Sequence, residues 1–218
     1  MPSNLSQKEI DAINQWLVKT QGSYPAYQLP TSDQFLNFDK PKCDIFRRYT
    51  SVCLELITHA NIRLDQFFEL DYTISRLLVL NIDRVNFLLK EMRLEELTQS
   101  FEICDQFITH YQAVMYLSSY GITGSQLSQM DSDKRERFLY NFKPIGQLLE
   151  SGLKFEMIQT LPFNHYIECI HHIDGIIPLL KMGVTLPQWL ELDFNMRTEC
   201  VQHSSALVAI LSAGIPFV

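Results

Sequence analysis

Four glycines, Gly121, Gly152, Gly183 and Gly214, stand 31 residues apart, and they are half of the eight glycines in the chain. Other residues share that register. Four positions before each glycine come Leu117, Leu148, Leu179 and Ile210, and one position after come Ile122, Leu153, Val184 and Ile215. Leu127, Ile158 and Trp189 follow at six, and Met130, Leu161 and Leu192 at nine. With small slips the lattice runs back through Glu91, Asn61 and Leu29, so blocks begin near 29, 61, 91, 121, 152 and 183, with a stub at 214. A fixed period near 30 residues constrains a chain to units that bury their apolar faces on their neighbours, as in a solenoid.

Each recurring position has a local chemistry. The glycines follow apolar helical stretches, which predicts C′ residues in the left-handed conformation that glycine adopts without a Cβ clash. Asn61 is the usual substitute there; Glu91 is not, and a distorted helix end is expected at that block. Two residues on, Thr31, Thr123 and Thr185 each precede a glutamine by three: Gln34, Gln126 and Gln188. That spacing is a capping box opening a short helix, with Pro187 tolerated in its first turn. The phrases QFLNFD, QFFELD, QLSQMD and QWLELD then end on Asp39, Asp71, Asp131 and Asp193, which read as N-caps of a second helix. Pro162 and Phe101 take that place in the other two blocks. Asn81, Asn141, His172 and His203 end the second helix, being residue types that tolerate left-handed backbone. Asp83, Asp174 and Ser204 or Ser205 are expected to cap a third helix, with Pro144 as its first residue elsewhere.

Upstream, SQKEIDAINQWLVKTQG carries a capping box from Ser6 to Glu9 and an amphipathic helix ending at Gly22. The stretch YPAYQLP, residues 24–30, reads as an extended strap. Downstream, AGIPFV places Ile215 and Phe217 in register with Val184 and Leu186. This stub is expected to lie against the sixth block and shield its apolar edge.

The composition is globular, 46% hydrophobic and 20% charged. No apolar run approaches the roughly 18 residues of a membrane span, and the polar N-terminus does not read as a signal peptide. Five scattered cysteines point to a reducing, cytoplasmic compartment rather than a disulfide scaffold. The formal net charge of −7 argues against a nucleic-acid surface, which needs excess Lys and Arg.

The sharpest constellation for chemistry is Glu168, Cys169 and His172, repeated 31 residues later as Glu199, Cys200 and His203. Cys and His three apart share a helix face, and neighbouring blocks offer Cys169, His172, Cys200 and His203 as a Cys₂His₂ zinc set or a Cys-His nucleophile pair. The competing reading is core cysteines with histidines at the cap position that asparagine fills elsewhere, and it is preferred. No catalytic residue, metal ligand or cofactor is therefore expected, and there is no P-loop, dinucleotide fingerprint or nucleophile elbow. DSDKRER, residues 131–137, reads as a solvated helix face. So does the acidic run of Asp65, Glu69, Glu91, Glu95, Glu96, Glu102 and Asp105.

At the level of L-x-x-x-G-[IVL]-x-x-x-x-[LIW]-x-x-L, the blocks resemble the three-helix repeats of mitochondrial transcription termination factors and the LL…G phrase of TAL-effector repeats. The likeness covers the repeat spacing and implies nucleic-acid binding, from which the acidic charge and the missing variable diresidue depart. The Leu-, Ile-, Gln- and Phe-rich style is also similar to repeat modules in type IV-secreted effectors of intracellular bacteria. That similarity implies action in a host cytosol.

The expected architecture is thus all-α: an α-solenoid of about six 30–32-residue three-helix repeats. Residues 1–28 form an N-terminal capping helix and strap, and residues 29–218 the array, within one domain. The expected function is a non-enzymatic protein-binding scaffold, an effector or adaptor, with self-association through the C-terminal edge as a further possibility. A nucleic-acid binder is the alternative, and an enzyme or zinc site at Cys169/His172/Cys200/His203 comes third.

Overall fold

The computed structural model describes residues 7–21, 38–62 and 64–217. The expectations for the Ser6 cap, the strap and the Thr31–Gln34 box lie outside the described residues. The chain is all-α, 76% helical, with no strand among the described residues. Helix packing divides it into two compact units, Met1–Tyr111 with Gly124–Ser132, and Gln112–Thr123 with Asp133–Val218.

In the first unit, α1 (Gln7–Gln21) buries Leu17 and sets Trp16 edge-on to Phe46, 6.2 Å between ring centroids. Then come α2 (Lys40–Arg48), α3 (Thr50–Ala60), α4 (Leu64–Glu69), α5 (Tyr72–Leu80), α6 (Ile82–Leu88), α7 (Leu94–Leu97) and α8 (Phe101–Thr109). Helix α9 (Tyr111–Ser118) belongs to the second unit but for Tyr111, and α10 (Gly124–Ser128) belongs to the first. The second unit continues with α11 (Ser132–Tyr140, but for Ser132), α12 (Phe142–Glu150), α13 (Phe155–Thr160), α14 (Phe163–His171), α15 (Ile173–Lys181), α16 (Leu186–Glu191), α17 (Phe194–Gln202) and α18 (Ser204–Ser212). From α4 onward the order is short helix, second helix, third helix, five times over. Within the first unit α2 packs on α5 and α5 on α8, α3 on α6, and α7 on α10. Within the second, α12 packs on α15 and α15 on α18. In each of these pairs a helix meets its own counterpart one period on.

The helix ends explain the lattice. Gly121, Gly152, Gly183 and Gly214 have φ of +81°, +96°, +92° and +84°, and Asn61 has φ +50°. The amide that follows each donates across the turn to the residue four before the glycine position. Ile122 donates to Leu117, Leu153 to Leu148, Val184 to Leu179, Ile215 to Ile210 and Ile62 to Ile57. That is the Schellman closure, whose end residues are apolar because they touch one another. Glu91 does not enter the left-handed region. Helix α6 stops at Leu88, and Leu89, at φ −67° and ψ −6°, leads into right-handed turns instead.

The caps agree in part. Asp71 accepts from the amides of Thr73 (2.8 Å) and Ile74 (3.3 Å), and Asp193 from that of Met196 (2.9 Å). Gln188 accepts from the Thr185 amide at 2.9 Å and closes the capping box. Asp39 holds the N-cap position without a side-chain bond. At α8 the cap is Ser100, which accepts from Ile103, and Phe101 is the first helical residue.

The junction between second and third helices differs from expectation. Asn81, Asn141, His172 and His203 have φ of −124°, −100°, −108° and −107°, not left-handed. A ψ near +25° turns the chain by one residue, so each is both C-cap of one helix and N-cap of the next. The Asn side chains donate back to the carbonyl four residues earlier, Leu77 at 2.9 Å and Arg137 at 2.8 Å. The third helix therefore starts two residues before Asp83 or Pro144 was expected to place it. Asp83 and Asp174 sit in its first turn, where a negative charge suits the helix dipole.

The C-terminal stub does not shield its block. Ile215 is 55% exposed and Ile210 43%, whereas Val184 and Leu179, their counterparts one period earlier, are 4% and 1% exposed. Helix α18 buries no residue.

Candidate binding surface on the second helices

The second helices carry one register. Five of their six first residues are exposed and mostly aromatic, Lys40, Tyr72, Phe101, Phe163 and Phe194, and the sixth, Ser132, is half-buried. Their fourth residues point inward: Cys43, Ser75, Cys104, Arg135, Tyr166 and Arg197 are all buried. Positions one, five and nine are exposed or half-buried in every second helix and build a surface.

In each unit that surface contains a cavity between successive second helices, lined by the same positions of the leading helix and by the first residue of the following one. In the first unit a cavity of about 660 Å³ lies between α2 and α5, with Lys40, Asp44, Arg48 and Tyr49 on one side and Tyr72 and Arg76 on the other. In the second unit a cavity of about 680 Å³ lies between α14 and α17, rimmed by Phe163 and Phe194 and lined by His165, His171 and His172. The Arg137 guanidinium sits 4.9 Å over the Phe163 ring.

The second cavity is floored by an ion pair. Arg197 Nε donates to Glu168 Oε1 at 2.8 Å, and the two side chains are only 9% and 10% exposed. Arg197 Nη1 also donates to the carbonyls of Leu190, at 3.2 Å, and Leu192, and its guanidinium lies 5.4 Å from the Trp189 ring. A buried guanidinium is tolerated because it is paired and its donors are satisfied. Arg135 occupies the same inward position, so DSDKRER is not a uniformly solvated face: residue 135 is 3% exposed while Asp133 and Glu136 are exposed. Of the acidic run, Glu69, Glu91, Glu95, Glu102 and Asp105 are exposed as expected, Glu96 is half-buried, and the side chain of Asp65 lies outside the described ones.

The Cys-His constellation is taken apart by the same register. Cys169 is fully buried at the seventh position of α14, and burial pushes its thiol up to about 12. Cys200 is half-buried, its thiol also raised by burial. His172 lines the cavity, and His203 lies exposed, 3.4 Å from Glu199 on its own helix. Among the described residues no three His, Cys, Asp or Glu are grouped to hold a metal ion, so these four do not converge. A thiol raised in this way is a poor nucleophile. Among the described residues no helix is long and apolar enough to cross a membrane.

Sequence reasoning missed the Arg197–Glu168 pair and both cavities. The signal was present in one case: Arg135 and Arg197 lie two periods apart, in register with Cys43 and Cys104. No family profile, curated protein or solved structure matches the chain.

Proposed function

We propose that the chain is a helical-repeat solenoid of three-helix blocks that binds another protein along its second helices, as a non-enzymatic scaffold or adaptor. The observation that carries this reading is the pair of cavities. They have nearly the same size and use the same positions of the leading helix in two separate units, yet have different linings, cationic in one and aromatic with histidines in the other. Repeat proteins vary residues on a constant frame in this way to recognise partners. Exposed Phe163 and Phe194, at 55% and 62%, supply the aromatic anchors that interfaces favour. The test is a benzophenone amino acid placed at Phe163 or Phe194 and irradiated in cell extract. A discrete cross-linked protein, absent when the probe sits at Met182 after a third helix, supports the reading. Cross-links equal at both places, or none from either, overturn it.

A second copy of the chain is the partner supported at the C-terminal edge, where Ile210 and Ile215 are exposed in positions that are buried one period earlier. Light scattering over a concentration series tests it. The mass should rise with concentration in the native chain and not in Ile210→Ser/Ile215→Ser; a constant monomer mass in the native chain overturns it.

A further inference from the structure

We infer that the cavity between α2 and α5 is a recognition site for an acidic segment of a partner protein, with Arg48 and Arg76 receiving its carboxylates. The inference rests on the protein-binding reading above and names the chemistry of one part of that surface. Three cations and one carboxylate, Asp44, line this cavity, in a chain whose formal net charge is −7. The excess is therefore local and opposite in sign to the whole. Asp44 does not neutralise it, because its ion pair is with Arg47, at 3.9 Å, outside the lining. Arg76 is exposed and makes no hydrogen bond or ion pair among the described residues. Arg48, also exposed, lies 5.5 Å over the ring of its neighbour Tyr49, which holds the planar fork in place without occupying its donors. Such a fork matches a carboxylate in a bidentate geometry.

The rest of the lining selects among anions. Tyr72 and Leu80 are 36% and 52% exposed and, with Pro41, offer an apolar floor for side chains between the acidic ones. A nucleic-acid strand carries charge along its whole length and meets the acidic remainder of the surface. A peptide brings its carboxylates only to the cavity, within about one Debye length, ~10 Å, of the three cations. The favoured ligand is thus an extended segment alternating Asp or Glu with apolar residues.

The test uses the full chain and fluorescence anisotropy with three labelled probes: a peptide alternating glutamate and leucine, the same peptide with lysine for glutamate, and an oligothymidylate. The glutamate peptide should bind, the lysine peptide should not, and affinity for the former should fall with added salt. Arg48→Glu/Arg76→Glu should weaken the glutamate peptide about tenfold or more. Both residues are exposed, so the helical circular dichroism of this variant should equal that of the native chain. Absent binding of the glutamate peptide, equal binding by native and reversed chains, or tighter binding of the oligothymidylate each overturn the inference; the last favours nucleic acid. If cross-linking from Phe163 persists when this test fails, the acidic-segment inference falls and the protein-binding reading stands.

Discussion

Arg197 offers the most direct test of the register. Replacing it by alanine removes the 2.8 Å contact to Glu168 and two donations to the Leu190 and Leu192 carbonyls, and leaves a carboxylate only 10% exposed without its counter-charge. Breaking one side of a buried ion pair costs about 3–5 kcal/mol. Glu168 borders the cavity, where water can reach it, so the low end applies, about 3 kcal/mol. With a urea m-value of about 2–3 kcal/mol/M, the midpoint falls by about 1–1.5 M. Removing both charges together, as Arg197→Met/Glu168→Leu, should return stability to within about 1 kcal/mol of the native chain, because neither desolvated ion remains. Urea melts followed by far-ultraviolet circular dichroism measure all three chains. A midpoint shift below about 0.3 M for Arg197→Ala, the size expected of an exposed pair, would refute the burial argument, as would a double variant weaker than the single one.

The turn glycines and the packing glycines should behave differently. A Cβ at Gly183 meets nothing within 4 Å, so Gly183→Val costs only its left-handed backbone, about 1–2 kcal/mol, and Gly183→Asn should cost less because Asn61 already adopts that conformation. A Cβ at Gly175 would stand 2.6 Å from Val201 Cγ1, so Gly175→Ala should destabilise by about 1–3 kcal/mol through overpacking, offset in part by about 1 kcal/mol of helix propensity. Melts in which the Val and Asn variants are equal, or in which Gly175→Ala gains stability, contradict these assignments. Among the caps, Asp193→Ala should cost about 1 kcal/mol and Asp39→Ala measurably less, since only Asp193 makes a side-chain cap bond; equal losses contradict this. Burial pushes the Cys53 and Cys104 thiols from the ordinary 9.0 up to about 12. The folded chain therefore holds these protons more tightly than the unfolded one. The associated stability is present below about pH 9 and is lost as pH rises from about 9 to about 12. Thermal melts between about pH 8 and pH 11 should show a flatter alkaline decline for Cys53→Ala/Cys104→Ala, and an unchanged decline argues against buried thiols.

The parts that were legible in the sequence are those whose interactions are local. A Schellman closure links residues five apart, a capping box residues three apart, and an aspartate cap bonds amides two or three residues on, so Gly183, Thr185, Gln188 and Asp193 announce their roles by spacing alone. Their recurrence at one period also announces the all-α class, since each block repeats the same starts and stops. Even so, the junction residues were misread, because Asn and His suit both left-handed and bridging backbone and the neighbours do not distinguish them. What only the tertiary structure decided depends on groups about 30 residues away. Arg135 and Lys134 are adjacent cations, and one is buried because the fourth position of a second helix points inward. Glu168 is paired because Arg197 reaches it from the next block, while Glu199, one period on, meets only His203 on its own helix. Cys169 and Cys200 look identical in sequence, yet one is fully buried and the other half-buried. Spacing determines where a helix begins and ends through bonds a few residues long; burial and charge are determined by what packs on the face, and that is a property of the assembled helices.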